Sequence, residues 1–176
     1  MNFFSTSKTL GILGGGQLGK MLLYTTRRWD ITTHVMDPNP EAPSKFACNH
    51  FTVGNLMDYD AVYNFGKAVD ILTIEIENVN TEALKQLKKE GVQVYPQPEV
   101  LEKIQNKGIQ KQFYATHNIP TAPFDCFASL AVLKEAIGKG AVSFPFVWKA
   151  TTMGYDGYGV QVVLTNKDLD LLQCIR

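Results

Sequence analysis

The chain has no excess of charge of either sign. Seventeen lysines and arginines balance seventeen aspartates and glutamates over 176 residues, so no bulk electrostatic footprint for DNA, RNA or an anionic membrane is present. A neutral total still leaves room for a local basic pocket that takes a phosphate. Cysteine is scarce. Cys48, Cys126 and Cys174 lie far apart, with no CxxC and no Cys/His cluster, which argues against a disulfide framework or a structural zinc. They read as reduced thiols that pack among their neighbours. His34, His50 and His117 are scattered without metal-ligand spacing, so no metal ligand is assigned within the chain. No run of about 18 apolar residues exists to span a membrane. Met1 to Lys8 hold no apolar stretch long enough for a signal peptide, so a cytoplasmic location is expected. The GxxxxGK[ST] phosphate loop is absent. So are a Ser/His/Asp set with a family signature, an internal repeat and a low-complexity segment. The composition, 45% hydrophobic and 19% charged, is that of a globular protein and not of a disordered one.

The order of elements carries the next inference. Thr9–Leu13 is a short apolar run that ends in glycines, as a buried parallel strand does. Leu18, Met21, Leu22, Thr25 and Trp29 recur at helical spacing and form one apolar face. Thr33–Met36 reads as a strand, and a short one is expected at Phe51–Val53. Asp58 is placed to cap a helix through Val62, Tyr63, Phe65 and Gly66. Val69–Ile74 is a strand. A helix from Thr81 turns Leu84 and Leu87 inward, with Lys85, Lys88 and Lys89 as a solvated face, and stops at Gly91. Val92–Tyr95 is a strand. The alternation β-α-β-(α)-β-α-β predicts an α/β fold, an open parallel doubly wound sheet with helices on both faces.

The texture changes after Pro96 and Pro98. A helix is expected over Val100–Asn118, broken near Gly108. Ile119–Pro123 is a stiff connector. Then follow a strand at Phe124–Phe127, a helix from Ser129 to about Ile137, and strands at Phe146–Lys149 and Val160–Leu164. A glycine-rich loop, Thr151–Gly159, separates the last two. Asn166 is expected to cap a final helix.

Three motifs could carry chemistry. Gly14-x-Gly16-x-x-Gly19 lies between a strand and a helix, where glycines permit a tight turn and the helix N-terminus presents N–H groups to an anion. With Asp37 at the end of the second strand it reads as NAD or FAD binding, or as a doubly wound domain that keeps such a loop without a dinucleotide. Glu75 and Glu77 end the next strand. Alternation puts them on one side, at the carboxyl end where open α/β sheets bind ligands, and two carboxylates there suit ribose hydroxyls or an amine. Lys149 precedes a loop with Gly154, Gly157 and Gly159. A flexible flap over polyphosphate suits phosphoryl transfer, while the alternative is a glycine-rich hairpin turn.

Together these motifs resemble one family. Gly11-Ile-Leu-Gly-Gly-Gly-Gln-Leu-Gly19 with Met21-Leu22, Asp37-Pro38 with Ala42-Pro43, Glu75-Ile-Glu-Asn-Val79, Gln105–Phe113, Ile119-Pro-Thr-Ala-Pro123 and Gly154-Tyr-Asp-Gly157 occur in the order found in the N(5)-carboxyaminoimidazole ribonucleotide synthetases. These are ATP-grasp ligases, also called the ATPase subunit of phosphoribosylaminoimidazole carboxylase. The resemblance covers nearly the whole chain. It implies a Rossmann-like pre-ATP-grasp substrate domain over 1–98, a helical linker over 99–122, and the start of an α+β ATP-grasp subdomain over 123–176.

The resemblance also implies a reaction: ATP and bicarbonate carboxylate the exocyclic amine of 5-aminoimidazole ribonucleotide. Bicarbonate is a poor electrophile, and its phosphorylation to carboxyphosphate supplies a leaving group, so the enzyme's work is positioning and charge neutralisation. By resemblance, Lys107, Lys149 and Gly154, Tyr155, Asp156, Gly157, Tyr158, Gly159 and Val160 bind ATP. Gly16, Gln17, Leu18 and Glu75, or else Glu77, bind the ribonucleotide. Tyr155 and Asp156 approach the imidazole amine as catalytic residues. Mg2+ accompanies ATP, with its ligands expected in a C-terminal part that family members have and this chain lacks. The chain is accordingly expected to be a truncated fragment that does not turn over alone, and the family's dimers imply a homodimer. Three departures stand out: Lys107 replaces a usual arginine, Tyr158 replaces a basic residue, and Met153 replaces a smaller one. The rival readings are another ATP-grasp ligase, such as a glycinamide ribonucleotide transformylase or a biotin carboxylase, an NAD-binding oxidoreductase, and a non-catalytic binding module. Gly154-Tyr-Asp-Gly157 argues against the first, and Gln17 and the second glycine-rich loop argue against the oxidoreductase.

Overall fold

The computed structural model describes residues 7–152 and 159–172. The chain divides into two compact units, residues 1–102 and 103–176. In the first, β1 (Thr9–Leu13), β2 (Thr32–Asp37), β3 (His50–Val53), β4 (Ile71–Ile74) and β5 (Gln93–Tyr95) pair in the order β3-β2-β1-β4-β5. Every pairing is parallel. The helices are α1 (Gln17–Arg28), α2 (Tyr59–Lys67), α3 (Thr81–Lys89) and α4 (Pro98–Gln105). The expected doubly wound α/β sheet is present.

Successive strand residues point to opposite faces, and both faces are covered. On one, Leu13, Met36 and Leu72 pack with Val62 and Phe65 of α2 and with Ala83, Leu84 and Leu87 of α3. On the other, Ile12 and Val35 pack with Leu23 of α1. Each fully buried aliphatic side chain contributes roughly 1.5–3 kcal/mol of transfer free energy. Local signals agree with this packing. Asp58 caps α2 by accepting from the Ala61 N–H at 2.7 Å. Gly91 (φ +97°) ends α3, with Gly91 N–H to Lys88 O and Val92 N–H to Leu87 O at 3.2 and 3.1 Å, the paired bonds of a Schellman motif.

Several expectations need correction. The face of α1 that meets the sheet is Gly19, Leu23 and Thr26, not the stripe of larger apolar residues. Leu18, Met21, Leu22 and Trp29 are exposed, Leu18 at 67%, and so is Thr25. The small residues win because α1 approaches the turn after β1 closely: a Cβ on Gly19 would sit 3.1 Å from the Gly14 carbonyl oxygen and 3.1 Å from Ser44 Oγ. Lys85 and Lys88 are not merely solvated. They pair with Glu102 at 2.5 Å and Glu99 at 3.1 Å, stitching α4 to α3 with the modest strength of exposed ion pairs. The helix over Val100–Asn118 is interrupted as expected, into α4 and α5 (Lys107–Thr116), two residues before Gly108. The break falls at Asn106, whose side chain accepts from Gly108 N–H and Ile109 N–H at 3.0 and 3.1 Å and so starts a new helix. Thr165, not Asn166, caps the last helix: the Asp168 carboxylate accepts from Thr165 N–H at 2.9 Å. Cys126 is exposed rather than packed, whereas Cys48 is half-buried.

The second unit contains α5, α6 (Leu130–Gly138), β6 (Phe146–Lys149), β7 (Val160–Val163) and α7 (Asn166–Leu171). β6 and β7 form an antiparallel pair. Beneath it Leu133, Val163, Leu169 and Leu172 are buried with Phe144, Phe146 and Trp148 against them. The strand expected at Phe124–Phe127 is absent. Among the described residues of this unit β6 pairs only with β7, and an extended segment without a ladder partner is no strand. No described helix is long and apolar enough to cross a membrane.

Register brings together two histidines that the sequence keeps apart. His34 on β2 is the partner of His50 on β3, with ring centroids 5.7 Å apart. Phe65 of α2 lies 4.7 Å from the His34 ring, and His34 Nε2 is 2.8 Å from Thr52 Oγ1. Burial, and then the neighbouring His50, hold the His34 pKa below its usual value of 6.5. The native state therefore binds fewer protons than the unfolded chain below about pH 6.5, and stability is lost as pH falls through that range. Urea denaturation between pH 7.5 and 5 is expected to show this loss, with a slope of less than about one proton, and His34→Gln is expected to flatten it.

Candidate functional site

The chain leaves the central strand β1 for β2 on one side, and later returns to β4 on the other. In such a sheet the ligand crevice opens where the strand order reverses. Here the carboxyl ends of β1 and β4 are neighbours, Leu13 beside Ile74 in register. The next residues are Gly14 and Glu75, and Glu75 N–H donates to Leu13 O at 2.7 Å.

The glycine turn forms a seat for the Glu75 side chain. Gly14 has φ +101°, a conformation side chains resist. A Cβ on Gly14 would lie 2.7 Å from Glu75 Oε2, and one on Gly16 2.6 Å from Oε1. α1 then begins with Gly16 as its N-cap, without a side-chain cap and with no acidic residue in its first turn. Glu75 supplies the missing negative charge from the neighbouring strand end, with Gly19 N–H reaching Oε1 at a long 3.4 Å. A carboxylate at this position interacts favourably with the helix dipole.

That placement bears on the dinucleotide alternative. The helix N-terminus that takes a pyrophosphate in such folds holds a carboxylate here. Asp37, the candidate ribose acid of that alternative, accepts instead from Gly15 N–H at 2.7 Å and Asn39 N–H at 2.8 Å, so each of its oxygens is bonded to the backbone. A shallow depression of about 200 Å³ opens beside the seat, lined by Leu18, Gly19, Leu22, Ile74 and Glu75. Gln17 is exposed on the first turn of α1. Thus Gly16, Leu18 and Glu75 come together. Glu77 is exposed and is not part of the lining. The alternation assigned to Glu75 and Glu77 does not apply, because β4 ends at Ile74 and both lie beyond it. Sequence reasoning missed Ser44. It is fully buried, and its N–H donates to Gly15 O at 2.9 Å. Only its place after the Ala42-Pro43 pair marked it.

In the second unit, Lys149 is the last residue of β6 and pairs with Val160 of β7. Ala150 N–H donates to Gly159 O at 2.7 Å, so the glycine-rich loop is closed at its base by a hairpin. Lys107 opens α5, and its backbone N–H donates to Thr151 O at 2.7 Å. Both lysines therefore stand at the root of the loop. Gly154, Tyr155, Asp156, Gly157 and Tyr158, with Met153, lie outside the described residues.

The ribonucleotide synthetase preATP-grasp domain model matches residues 7–105. The chain belongs to this family. Among curated relatives, the N5-carboxyaminoimidazole ribonucleotide synthase of Staphylococcus epidermidis is 34% identical over 175 residues, covering 97% of this chain and 45% of that protein. The bifunctional purine synthesis protein purC/E of Dictyostelium discoideum is 38% identical over 165 residues, covering 94% of this chain and 16% of that protein. Among solved structures, carboxyaminoimidazole ribonucleotide synthase from Aspergillus clavatus complexed with ATP superposes with a TM-score of 0.86 at 32% identity. The Aspergillus clavatus enzyme in complex with ADP and 5-aminoimidazole ribonucleotide gives 0.81 at 29%. Each superposition covers 96% of this chain and 44% of the other. This preATP-grasp chain therefore spans less than half the length of these relatives.

Two glycine substitutions separate strain from collision in the preATP-grasp seat. Gly14→Ala is expected to keep a cost of about 1–2 kcal/mol by urea denaturation even in a Glu75→Ala background, because its backbone strain (φ +101°) outlasts the collision with the carboxylate. Gly16→Ala, whose backbone is extended (φ −69°, ψ −163°), is expected to couple to Glu75 by about 0.5–1 kcal/mol. Its cost disappears once the carboxylate is gone.

Proposed function

We propose that this chain carries the ribonucleotide seat and the ATP-phosphate loop of a carbon–nitrogen ligase. The reaction is the carboxylation of the exocyclic amine of 5-aminoimidazole ribonucleotide, driven by ATP and bicarbonate, in purine biosynthesis. The observation that carries the reading is the Glu75 carboxylate held over the glycine turn at the β1/β4 switch point. An acceptor there favours a ligand that offers hydroxyl donors, as a ribose does, and disfavours a phosphate. The likeness to relatives crystallised with ATP, and with ADP and 5-aminoimidazole ribonucleotide, supports the same ligands.

In this proposal Glu75 accepts from the ribose hydroxyls, and Gly16, Gln17 and Leu18 lie against the ribonucleotide. Lys107 and Lys149, at the root of the loop, neutralise ATP phosphates as point charges, together with the stretch from Gly154 to Val160. The bicarbonate oxygen attacks the terminal phosphorus of ATP and ADP leaves. The amine then attacks the carboxyphosphate carbon and phosphate leaves. Tyr155 and Asp156 serve the amine. Mg2+ accompanies ATP, but the described residues hold no group of three His, Cys, Asp or Glu that could bind a metal.

A homodimer and a cytoplasmic location belong to the same proposal. The exposed apolar stripe of α1, with Met21 and Trp29 about half exposed, supports self-association. Sedimentation velocity is expected to show a dimer that Met21→Glu shifts to monomer.

Calorimetry of this chain tests the ligands. The expected outcome is binding of 5-aminoimidazole ribonucleotide weakened more than tenfold by Glu75→Ala, the loss of a charge-assisted hydrogen bond. Mg-ATP binding is expected to be weakened by Lys149→Ala and untouched by Glu75→Ala. Binding of NADH, with neither of these ligands bound, would return the site to the dinucleotide reading.

A further inference from the structure

The glycine turn is held from two sides, and only one of them is Glu75. On the other side the segment after β2 folds back over the turn. Asp37 Oδ2 accepts from Gly15 N–H at 2.7 Å, and its Oδ1 accepts from Asn39 N–H at 2.8 Å. The chain then turns so that Ser44, fully buried, donates its N–H to Gly15 O at 2.9 Å and its hydroxyl to Gly16 O at 3.3 Å. Ala42 closes the gap, because a Cβ on Gly15 would lie 3.1 Å from both Ala42 Cβ and Asp37 Cβ. Gly15 thus has its N–H and its carbonyl both bonded to one eight-residue strap of chain, Asp37 to Ser44. Gly16 O in turn accepts from Lys20 N–H at 3.0 Å, so Ser44 also ties down the first turn of α1.

We propose that Asp37 and Ser44 are positioning residues that hold the Gly14–Gly16 backbone rigid, and through it the seat of Glu75, in the geometry that receives the ribonucleotide. The inference rests on the ribonucleotide reading of that seat. It gives Asp37 a task different from the one its sequence position indicates. The acid that dinucleotide folds spend on a ribose hydroxyl is bonded here to backbone N–H groups, and the acid that faces the ligand comes from β4. The side chains of Asp37 and Ser44 bond to backbone atoms of the turn and of the strap itself, so their side-chain bonds act on the turn. The value of the strap lies in preorganisation: a ligand-facing group displaced by about 1 Å loses much of its effect.

Amide hydrogen exchange and calorimetry on this chain test the strap, with Asp37→Ala, Asp37→Asn and Ser44→Ala. Exchange at Gly15, Gly16 and Gly19 is expected to quicken about tenfold in Asp37→Ala, with Leu84 and Leu87 of α3 unchanged. The Kd for 5-aminoimidazole ribonucleotide is expected to rise about tenfold in Asp37→Ala, and by less in the other two, while Mg-ATP affinity does not move. A merely structural contribution would lower Tm and leave the Kd of the folded protein alone. Wild-type Kd in both Asp37→Ala and Ser44→Ala overturns the proposal. Should the wild-type chain bind no ribonucleotide, the ribonucleotide reading fails, and exchange alone judges the strap. Acceleration confined to the turn then upholds it, and unchanged rates at Gly16 and Gly19 overturn it. Should Asp37→Ala fail to fold, Asp37→Asn and Ser44→Ala carry the same comparison, since the first turns one acceptor oxygen into a donor and the second removes only the hydroxyl.

Discussion

The carboxylate of Glu75 over the N-terminus of α1 is the interaction around which the first unit is arranged. A helix that starts on glycine has unsatisfied N–H groups and no side chain of its own to meet them. α1 starts on Gly16, and its compensating charge comes from another strand. That solution requires β1 and β4 to be adjacent and parallel, with their ends level. It also requires a turn stripped of side chains. The strand order β3-β2-β1-β4-β5 and the glycines at 14 and 16 meet these needs together, so topology and composition answer one electrostatic requirement.

The requirement propagates outward. α1 must lie close to the turn, and so it buries its small face, Gly19 and Thr26 around Leu23, and leaves its bulky stripe outside. A helix with two apolar sides offers a periodicity argument two answers. The choice fell to close approach rather than to side-chain volume, because a large residue at position 19 would push α1 off the Gly14 carbonyl and Ser44. The same proximity explains why Ser44, a polar residue, is wholly buried: its N–H and hydroxyl are used on the backbone of the turn, as a buried polar group requires. The second unit has a simpler logic. Its glycine-rich loop hangs from the β6–β7 pair, closed at the root by the Ala150–Gly159 bond.

Much of the fold was legible in the sequence. The strands were short apolar runs, Asp58 and Gly91 marked helix ends through local chemistry, and the alternation of elements indicated a parallel sheet. The misses have two causes. Thr165 and Asn166 compete for one cap a single residue apart, and the expected strand at Phe124–Phe127 failed because strand formation depends on a partner that local sequence does not name. The site was legible in part. Gly14, Gly16, Glu75 and Lys149 were singled out by residue type and by their position at element ends, but the pairing of His34 with His50 and the contacts of Asp37 were not.

By itself, then, the sequence determined the elements, the family to which the chain belongs, and the residue types able to serve the site, because propensity, caps and motif spacing act over a few neighbouring residues. Tertiary structure alone decided which of two acids sits over the glycine turn. Asp37 ends one parallel strand and Glu75 follows another, and residue type does not distinguish their tasks. The return of the chain to β4 put Glu75 over the helix N-terminus, and the fold-back after β2 tied Asp37 to the backbone of Gly15. Those are contacts between residues far apart in the chain, and they exist only once the sheet has closed.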